Sequence, residues 1–150
     1  MAQTLNGGRL FIAGMSLASL AFGLDKCRNY AQEREQFGVP IGSFQRVQDV
    51  IIDMDITLEQ GLTWLIDLTN RYDDNTLDRE SAAKVKIECS RKASEHLTMA
   101  MEICGGVSSL DEFGLIRHHR DLFVCRVGEG SNFALKGFAT RPLMPDITLQ

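Results

Sequence analysis

Three long stretches of this 150-residue chain place apolar side chains at alternating steps of three and four residues, the period of one face of an α-helix. The first series is Leu10, Ala13, Leu17, Leu20, Leu24, Cys27 and Ala31. The second is Phe44, Val47, Ile51, Met54, Leu58, Leu62 and Leu65, with Asp53, Asp55, Glu59 and Asp67 off the series as solvated positions. The third is Ala82, Val85, Cys89, Ala93, Leu97, Ala100 and Cys104. Helices of about 25 residues are each close to about 40 Å long. Joined by short loops, they favour antiparallel packing.

Local signals set the expected boundaries. The first helix should end near Phe37-Gly38, where Gly38 can take a left-handed cap and Pro40 cannot continue the ladder. Its opening half also carries Phe11, Ile12, Met15, Ala18, Ala21 and Phe22, so it should be buried on more than one side. Ser43 is the expected N-cap of the second helix and Asp78 that of the third, with the polar run Asn70–Asp78 as the loop between them. The third helix should stop at Gly105-Gly106. A fourth should run from Leu115 to about Arg126 and a last from Ser131 or Asn132 to about Thr140. Pro142 and Pro145 make a tail, and no strand-period run of useful length appears. The expected fold is all-α: an up-and-down antiparallel four-helix-type bundle with a short extra C-terminal helix, in a single domain over 1–150.

The net charge of −4 supplies no positive field for nucleic acid or an anionic membrane. The apolar stretch Leu10–Leu24 is shorter than a bilayer span and broken by serines and glycines, as suits a buried helix. The four cysteines lie far apart without a CxxC pair, which points to reduced thiols and a cytoplasmic setting. Metal chemistry finds no Glu-x-x-His pair. Glu95-His96 and His118-His119 are adjacent and diverge, which suits surface or capping histidines. No Gly-x-Ser-x-Gly or phosphate loop is present, and Trp64 and the eight phenylalanines are expected in the core.

Three local features invite chemistry, although taken singly each is explained more readily by packing. Arg34 and Phe37, three apart, could clamp the phosphate of a flat aromatic cofactor or sit as dipole-favoured packing at a helix end. Glu102-Ile103-Cys104-Gly105-Gly106 could be a helix stop or a place where a ligand approaches the backbone. Gly128-Glu129-Gly130-Ser131 sets a carboxylate between glycines just ahead of a helix.

In this order the features resemble the acyl-CoA dehydrogenase family. Its C-terminal domain has an Arg-x-x-Phe-Gly-x-Pro-Ile motif followed by a Phe/Leu-Gln pair, here Arg34-Glu-Gln-Phe37-Gly38-Val-Pro40-Ile41-Gly-Ser-Phe44-Gln45. The Gly-Gly segment, an Arg-x-x-Arg-Asp stretch (Arg117 to Asp121) and the Glu-Gly-Thr/Ser turn follow at similar spacing, so the resemblance covers residues 6–141. It implies Glu129 as the base that takes the α-proton of an acyl thioester, with FAD accepting the β-hydride. It implies that Arg34, Phe37 and Gln45 contact FAD, mostly that of a neighbouring subunit. Glu102, Ile103, Cys104, Gly105 and Gly106 follow it along the adenosine end, and Ser131, Asn132 and Phe133 are a further contact stretch. Asn6, Arg9 and Gly130 match positions beside the substrate.

The sequence departs from the family pattern at Glu102, usually Gln, at Gly128, usually aromatic, and at Val107-Ser108-Ser109. Gly128 implies an altered acyl pocket, and the thioester can be that of CoA or of a carrier protein. The family's N-terminal helical and middle β domains are not in these residues. The chain is therefore expected to be a fragment or one part of a split enzyme, inactive alone, acting with those domains, an electron-transfer acceptor and further copies as a dimer or tetramer. The alternatives are a flavin monooxygenase of the same fold and a non-catalytic helical oligomerisation or interaction module.

Overall fold

The computed structural model describes residues 2–145. Helix α1 spans Ala2–Glu33, α2 Gln45–Asp73, α3 Arg79–Cys104, α4 Leu115–Val127 and α5 Asn132–Thr140. Between α1 and α2 lie the two-residue strands β1 (Glu35–Gln36) and β2 (Val39–Pro40) and a 3-10 turn at Ile41–Ser43; further 3-10 turns cover Gly105–Ser109 and Arg141–Leu143. The architecture is the expected all-α bundle with a short extra helix.

Two apolar clusters fix the helix directions. In one, Leu10, Ala13 and Leu17 near the start of α1 meet Leu68 near the end of α2 and Val85 and Cys89 near the start of α3. In the other, Leu20 and Cys27 meet Met54 near the start of α2, Ala93, Leu97, Ala100 and Cys104 along the second half of α3, and Leu115 and Leu122 of α4. Helices α1 and α3 thus run one way and α2 the other. A third cluster, Ala83 and Ile87 with Leu135 and Ala139, docks α5 on α3.

Every residue of the predicted α3 face is buried, and so is the α1 face apart from half-buried Leu24. Helix α1 is long and apolar enough to cross a membrane by length and composition alone, but its Leu10–Ala31 face is a seam of the bundle core. Glycines bring the helices close. A Cβ on Gly61 would lie 2.5 Å from Leu17 Cδ2, and one on Gly23 would collide with Leu97.

The structure corrects several boundaries and faces. Helix α1 stops at Glu33, short of Phe37-Gly38, and the chain turns back as a hairpin pairing Glu35 with Pro40 and Gln36 with Val39. Phe37 (φ 56) and Gly38 (φ 82) are its two central residues. Both are left-handed, which is the turn that matches strand twist. Ser43 is not the cap of α2; Phe44 stands there with no side-chain cap bond, and the 3-10 turn takes up Ser43. The loop expected from Asn70 is shorter, since α2 continues to Asp73. On α2 the buried positions are Met54, Gly61 and Leu68, whereas Phe44 and Leu62 are exposed. The second side of α1 is partly covered: Phe11 is 68% and Met15 43% exposed and Ala18 is exposed, whereas Ile12, Ala21 and Phe22 are half-buried. Helix α4 packs on that side through His118, which meets Ser19 and Phe22. Five of the eight phenylalanines expected in the core (Phe11, Phe37, Phe44, Phe123 and Phe133) are exposed instead.

The histidines are interhelical links and not surface caps. His96 is buried and bonded to Thr57 of α2 (2.9 Å), His118 meets Ser19 of α1 (3.1 Å) and His119 meets Thr98 of α3 (3.2 Å). His118 also stacks on Phe22 at 4.2 Å. Among the described residues no group of three or more His, Cys, Asp or Glu side chains gathers in a way that could hold a metal.

Asp78 caps α3 as expected. Its Oδ1 accepts from the Ser81 backbone N–H (2.6 Å), and its Oδ2 accepts from Ser81 Oγ (2.7 Å) and Arg71 (2.7 Å). Burial works against its charge, but these hydrogen bonds and Arg71 outweigh it and hold the carboxyl below its ordinary value. A depressed folded pKa gives stability that is complete above the unfolded value and lost as pH falls through the folded one. Asp78→Ala is therefore expected to lower stability by about 1 kcal/mol at neutral pH. Urea denaturation should show the gap closing below about pH 4.

Candidate active site

The Glu129 corner is built by two helix ends. Helix α4 stops at Val127, and Gly128 N–H closes its last turn on Val124 O at 2.8 Å. Glu129 (φ 52) and Gly130 (φ 97) are then consecutive left-handed residues. Glycine adopts that region freely, but a glutamate there is strained. Such strain persists only where its surroundings over-determine it, which is a mark of functional positions. Ser131 starts α5 as its N-cap, its Oγ accepting from Ala134 N–H at 3.2 Å.

From this corner the Glu129 side chain reaches back onto α1. A Cβ on Gly8 would stand 2.7 Å from the Glu129 carboxyl carbon and 2.9 and 3.0 Å from its two oxygens. The carboxylate therefore occupies the notch left by a missing side chain. The adjacent glycine serves another neighbour, because a Cβ on Gly7 would lie 3.0 Å from Tyr72 Oη.

Asn6 and Arg9 flank the notch and are buried. Asn6 Nδ2 donates to Leu77 O and Arg9 donates to Arg79 O, each at 3.4 Å, tying the start of α1 to the α2–α3 junction. The Arg9 guanidinium lies 5.7 Å from the centre of the Phe138 ring, whose neighbour Arg79 is at 5.0 Å. Burial and Arg79 lower the Arg9 pKa, against the opposing pull of Glu129 and Glu80. Asn6 Oδ1 and Arg9 Nε are buried without a hydrogen-bond partner among the described residues. Native structures rarely leave such groups unmatched. Asn6, Arg9, Glu129 and Gly130 thus lie at one end of the bundle, so the residues matched to the base and to the substrate share that end.

The residues matched to the cofactor divide between the two ends. Ser131 and Phe133 lie beside Glu129, and Phe133 is 93% exposed. Asn132 points inward: its Oδ1 accepts from Lys86 and its Nδ2 donates to Ser90. Arg34, Phe37 and Gln45 sit at the far end of α1, roughly 37 Å away for the 25 residues from Gly8 to Glu33. That distance keeps them from meeting Glu129 of the same chain. Glu102, Gly105 and Gly106 are exposed at that far end, whereas Ile103 is half-buried. The Cys104 side chain is buried against Cys27, and their hydrogen bond, with burial, pushes the Cys104 thiol above its usual range.

The far end nonetheless fits a flat phosphate-bearing group. Phe37 is 93% exposed at the hairpin tip, edge-on to Phe44 at 6.2 Å. Arg34 is exposed and outside every ion pair among the described residues. Nothing lies within 4 Å of where a Cβ would stand on Gly105 or Gly106, so a ligand can approach the backbone there.

One residue escapes sequence reasoning entirely. Lys86 is fully buried, and its ammonium donates to Arg126 O (3.1 Å), Gly130 O (2.8 Å) and Asn132 Oδ1 (2.9 Å). A lysine in a helix reads as solvated. The available signal was its register, three residues after Ala83 and four before Ser90, in a second small-residue stripe of α3 that is buried throughout.

Residues 1–141 match the family described as acyl-CoA dehydrogenase, C-terminal domain. The chain is 33% identical over 129 residues to the probable acyl-CoA dehydrogenase YngJ of Bacillus subtilis, covering 86% of this chain and 34% of that protein. It superposes on butyryl-CoA dehydrogenase from Megasphaera elsdenii with a TM-score of 0.91 at 26% identity, covering 95% of this chain and 37% of that one. PigA, solved with FAD and proline, gives a TM-score of 0.85 at 31% identity, covering 93% and 36%. The chain spans about a third of the length of these relatives.

The notch at Gly8 makes a direct prediction. Gly8→Ala should push the Glu129 carboxylate outward by roughly 1 Å, the shift that restores ordinary carbon–carbon separation. A crystal structure of the variant would show the displacement.

Proposed function

The chain belongs to the acyl-CoA dehydrogenase family as its C-terminal domain, and from that premise we propose that it serves a flavoprotein that α,β-dehydrogenates an acyl thioester. Glu129 is the base. The observation that supports it is the seating of its carboxylate in the Gly8 notch, near enough to the buried Arg9 for their charges to interact.

The chemistry follows from that placement. An α-C–H beside a thioester carbonyl is a weak acid, so its removal needs a base held at contact distance and shielded from water. The left-handed corner points Glu129 back along α1 instead of outward. Gly130 follows it directly, its carbonyl held by Lys86. Asn6 and Arg9 present buried polar atoms toward the same end. The Glu129 side is exposed in this chain, so water is excluded there by the N-terminal helical and middle β domains that complete the protein.

FAD, when bound, supplies the acceptor for the β-hydride. Ser131 and Phe133 hold it at the Glu129 end. Arg34, Phe37, Gln45 and the backbone of Glu102–Gly106 hold the flavin of a neighbouring copy, because α1 separates them from their own Glu129. The active assembly is then a homo-oligomer, a dimer or tetramer. The exposed apolar side chains support covered surfaces of this kind: Phe11, Phe123, Phe133 and Ile66 are each at least 61% exposed. The substrate is an acyl-CoA or an acyl-carrier-protein thioester, and an electron-transfer partner takes the electrons onward. Four free, buried thiols suit a reducing cytoplasm.

Glu129→Gln in the flavin-loaded full-length protein keeps the shape of the side chain and removes the base. Anaerobic mixing with an acyl thioester should then bleach the flavin absorbance about 10²–10⁴-fold more slowly. Bleaching at the unaltered rate overturns the assignment.

A further inference from the structure

Lys86 belongs to none of the sites assigned above, and its surroundings are unusual for an ammonium. It is 0% exposed on α3, and its three hydrogen bonds go to two backbone carbonyls and an amide oxygen. An ammonium has three donors and no acceptor, so its capacity is filled. All three acceptors are neutral, and none cancels its charge. Burying a cation without a contacting carboxylate is unfavourable. An apolar side chain would spare that cost but leave the three oxygens without their donor, so the role of the ammonium lies in what it holds.

The positions of the acceptors supply that role. Arg126 lies three residues before Glu129, Gly130 immediately after it and Asn132 three residues after it. One ammonium thus holds the last turn of α4, the corner and the first residue of α5 to the same point on α3. Between these fixed points the chain makes the left-handed bend at Glu129 and Gly130. Asn132 is itself held by Ser90, through Nδ2 to Oγ at 2.9 Å, so the clamp is anchored at two successive turns of α3.

We propose that Lys86 is the positioning residue for Glu129, fixing the backbone on both sides of it so that its carboxylate stays in the Gly8 notch. This rests on Glu129 being the base; Lys86 itself touches neither substrate nor cofactor. The groups whose charge reaches Lys86 are Cys125 of α4, Arg9 of α1 and Glu129 of the corner. Burial, with Arg9, lowers its pKa to about 8 against the opposing pull of Cys125 and Glu129. A neutral amine donates two hydrogen bonds and not three, so the clamp loosens as pH rises through that value. The lysine's own contribution to global stability runs the other way. Its folded pKa is below the unfolded one, so neutralising the buried cation stabilises the fold between about 8 and about 10.4.

The test uses the flavin-loaded full-length protein with Lys86→Met, which keeps the length and removes the donors. Flavin content and thioester affinity should stay within about threefold. The bleaching rate should fall about 100-fold, the loss that accompanies a displacement of about 1 Å at a reacting group. Amide hydrogen exchange should rise across residues 126–132 and stay unchanged along the rest of α3. Wild-type bleaching together with wild-type exchange across 126–132 overturns the proposal.

The unaltered protein gives a second measurement that needs no variant to fold. Exchange across 126–132, corrected for its chemical pH dependence, should accelerate between pH 7 and 9.5 while global stability does not fall; a flat profile overturns the clamp. Glu129→Gln separates the two assignments. Slow bleaching in Glu129→Gln beside wild-type bleaching in Lys86→Met removes the role of Lys86 alone. Wild-type bleaching in Glu129→Gln removes the base itself.

Discussion

The close seam between α1 and α3 is the constraint on which the rest of this domain depends. Ala13, Ala93 and Ala100 are wholly buried, Gly23 admits Leu97, and Cys27 meets Cys104 at the far end of the seam. Small side chains let the helix backbones approach, and the area they remove from water scales with that closeness. With α1 and α3 locked, α2 closes one side through Gly61 and Leu68, and α4 closes the other through Leu115 and Leu122. Only then does α3 offer a second stripe, Ala83, Lys86, Ile87 and Ser90, on which α5 and the corner before it are set. The functional end is thus built on the back of the core helix.

Charge is handled differently at the two ends. Around Glu129 the buried cations Arg9 and Lys86 face the carboxylate end of the molecule, each with its pKa lowered chiefly by burial. Their hydrogen bonds go largely to carbonyl oxygens, and the nearby Glu129 acts on both only through space. At the hairpin end Arg34 is solvated and free to meet an anion, and Glu102 stands exposed not far from Gly105-Gly106. A negative side chain beside a phosphate-bearing ligand is repulsive, although solvent screens it.

Much of the fold was legible because burial follows helical period. All seven residues of the α3 series are buried, and Asp78 caps that helix as its side-chain chemistry requires. The α2 face was only partly legible. Gly61, which carries no hydrophobic signal, is where Leu17 packs, and Leu62 beside it faces out. The hairpin was hidden for a different reason: a phenylalanine at φ 56 defies its own preference, and residue type gives no warning of that. At the site, the Glu129 corner announced itself through its flanking glycines and Ser131. Lys86 did not, since a charged residue counts as solvated until three oxygens are found around it. The division of the cofactor-matched residues between two ends, by contrast, follows from the length of α1, which the apolar period already implies.

The length of α1 has a genetic consequence. In a two-fold assembly each chain, on the proposed function, lends its hairpin end to one catalytic centre and its carboxylate end to the other. When two differently damaged chains pair, a lesion at Phe37 in one and a lesion at Glu129 in the other therefore fall in the same centre. One centre of that hybrid inherits both defects and the other inherits neither. Two inactive alleles would then complement one another, an outcome closed to an enzyme whose reactive and cofactor-holding groups share a single pole.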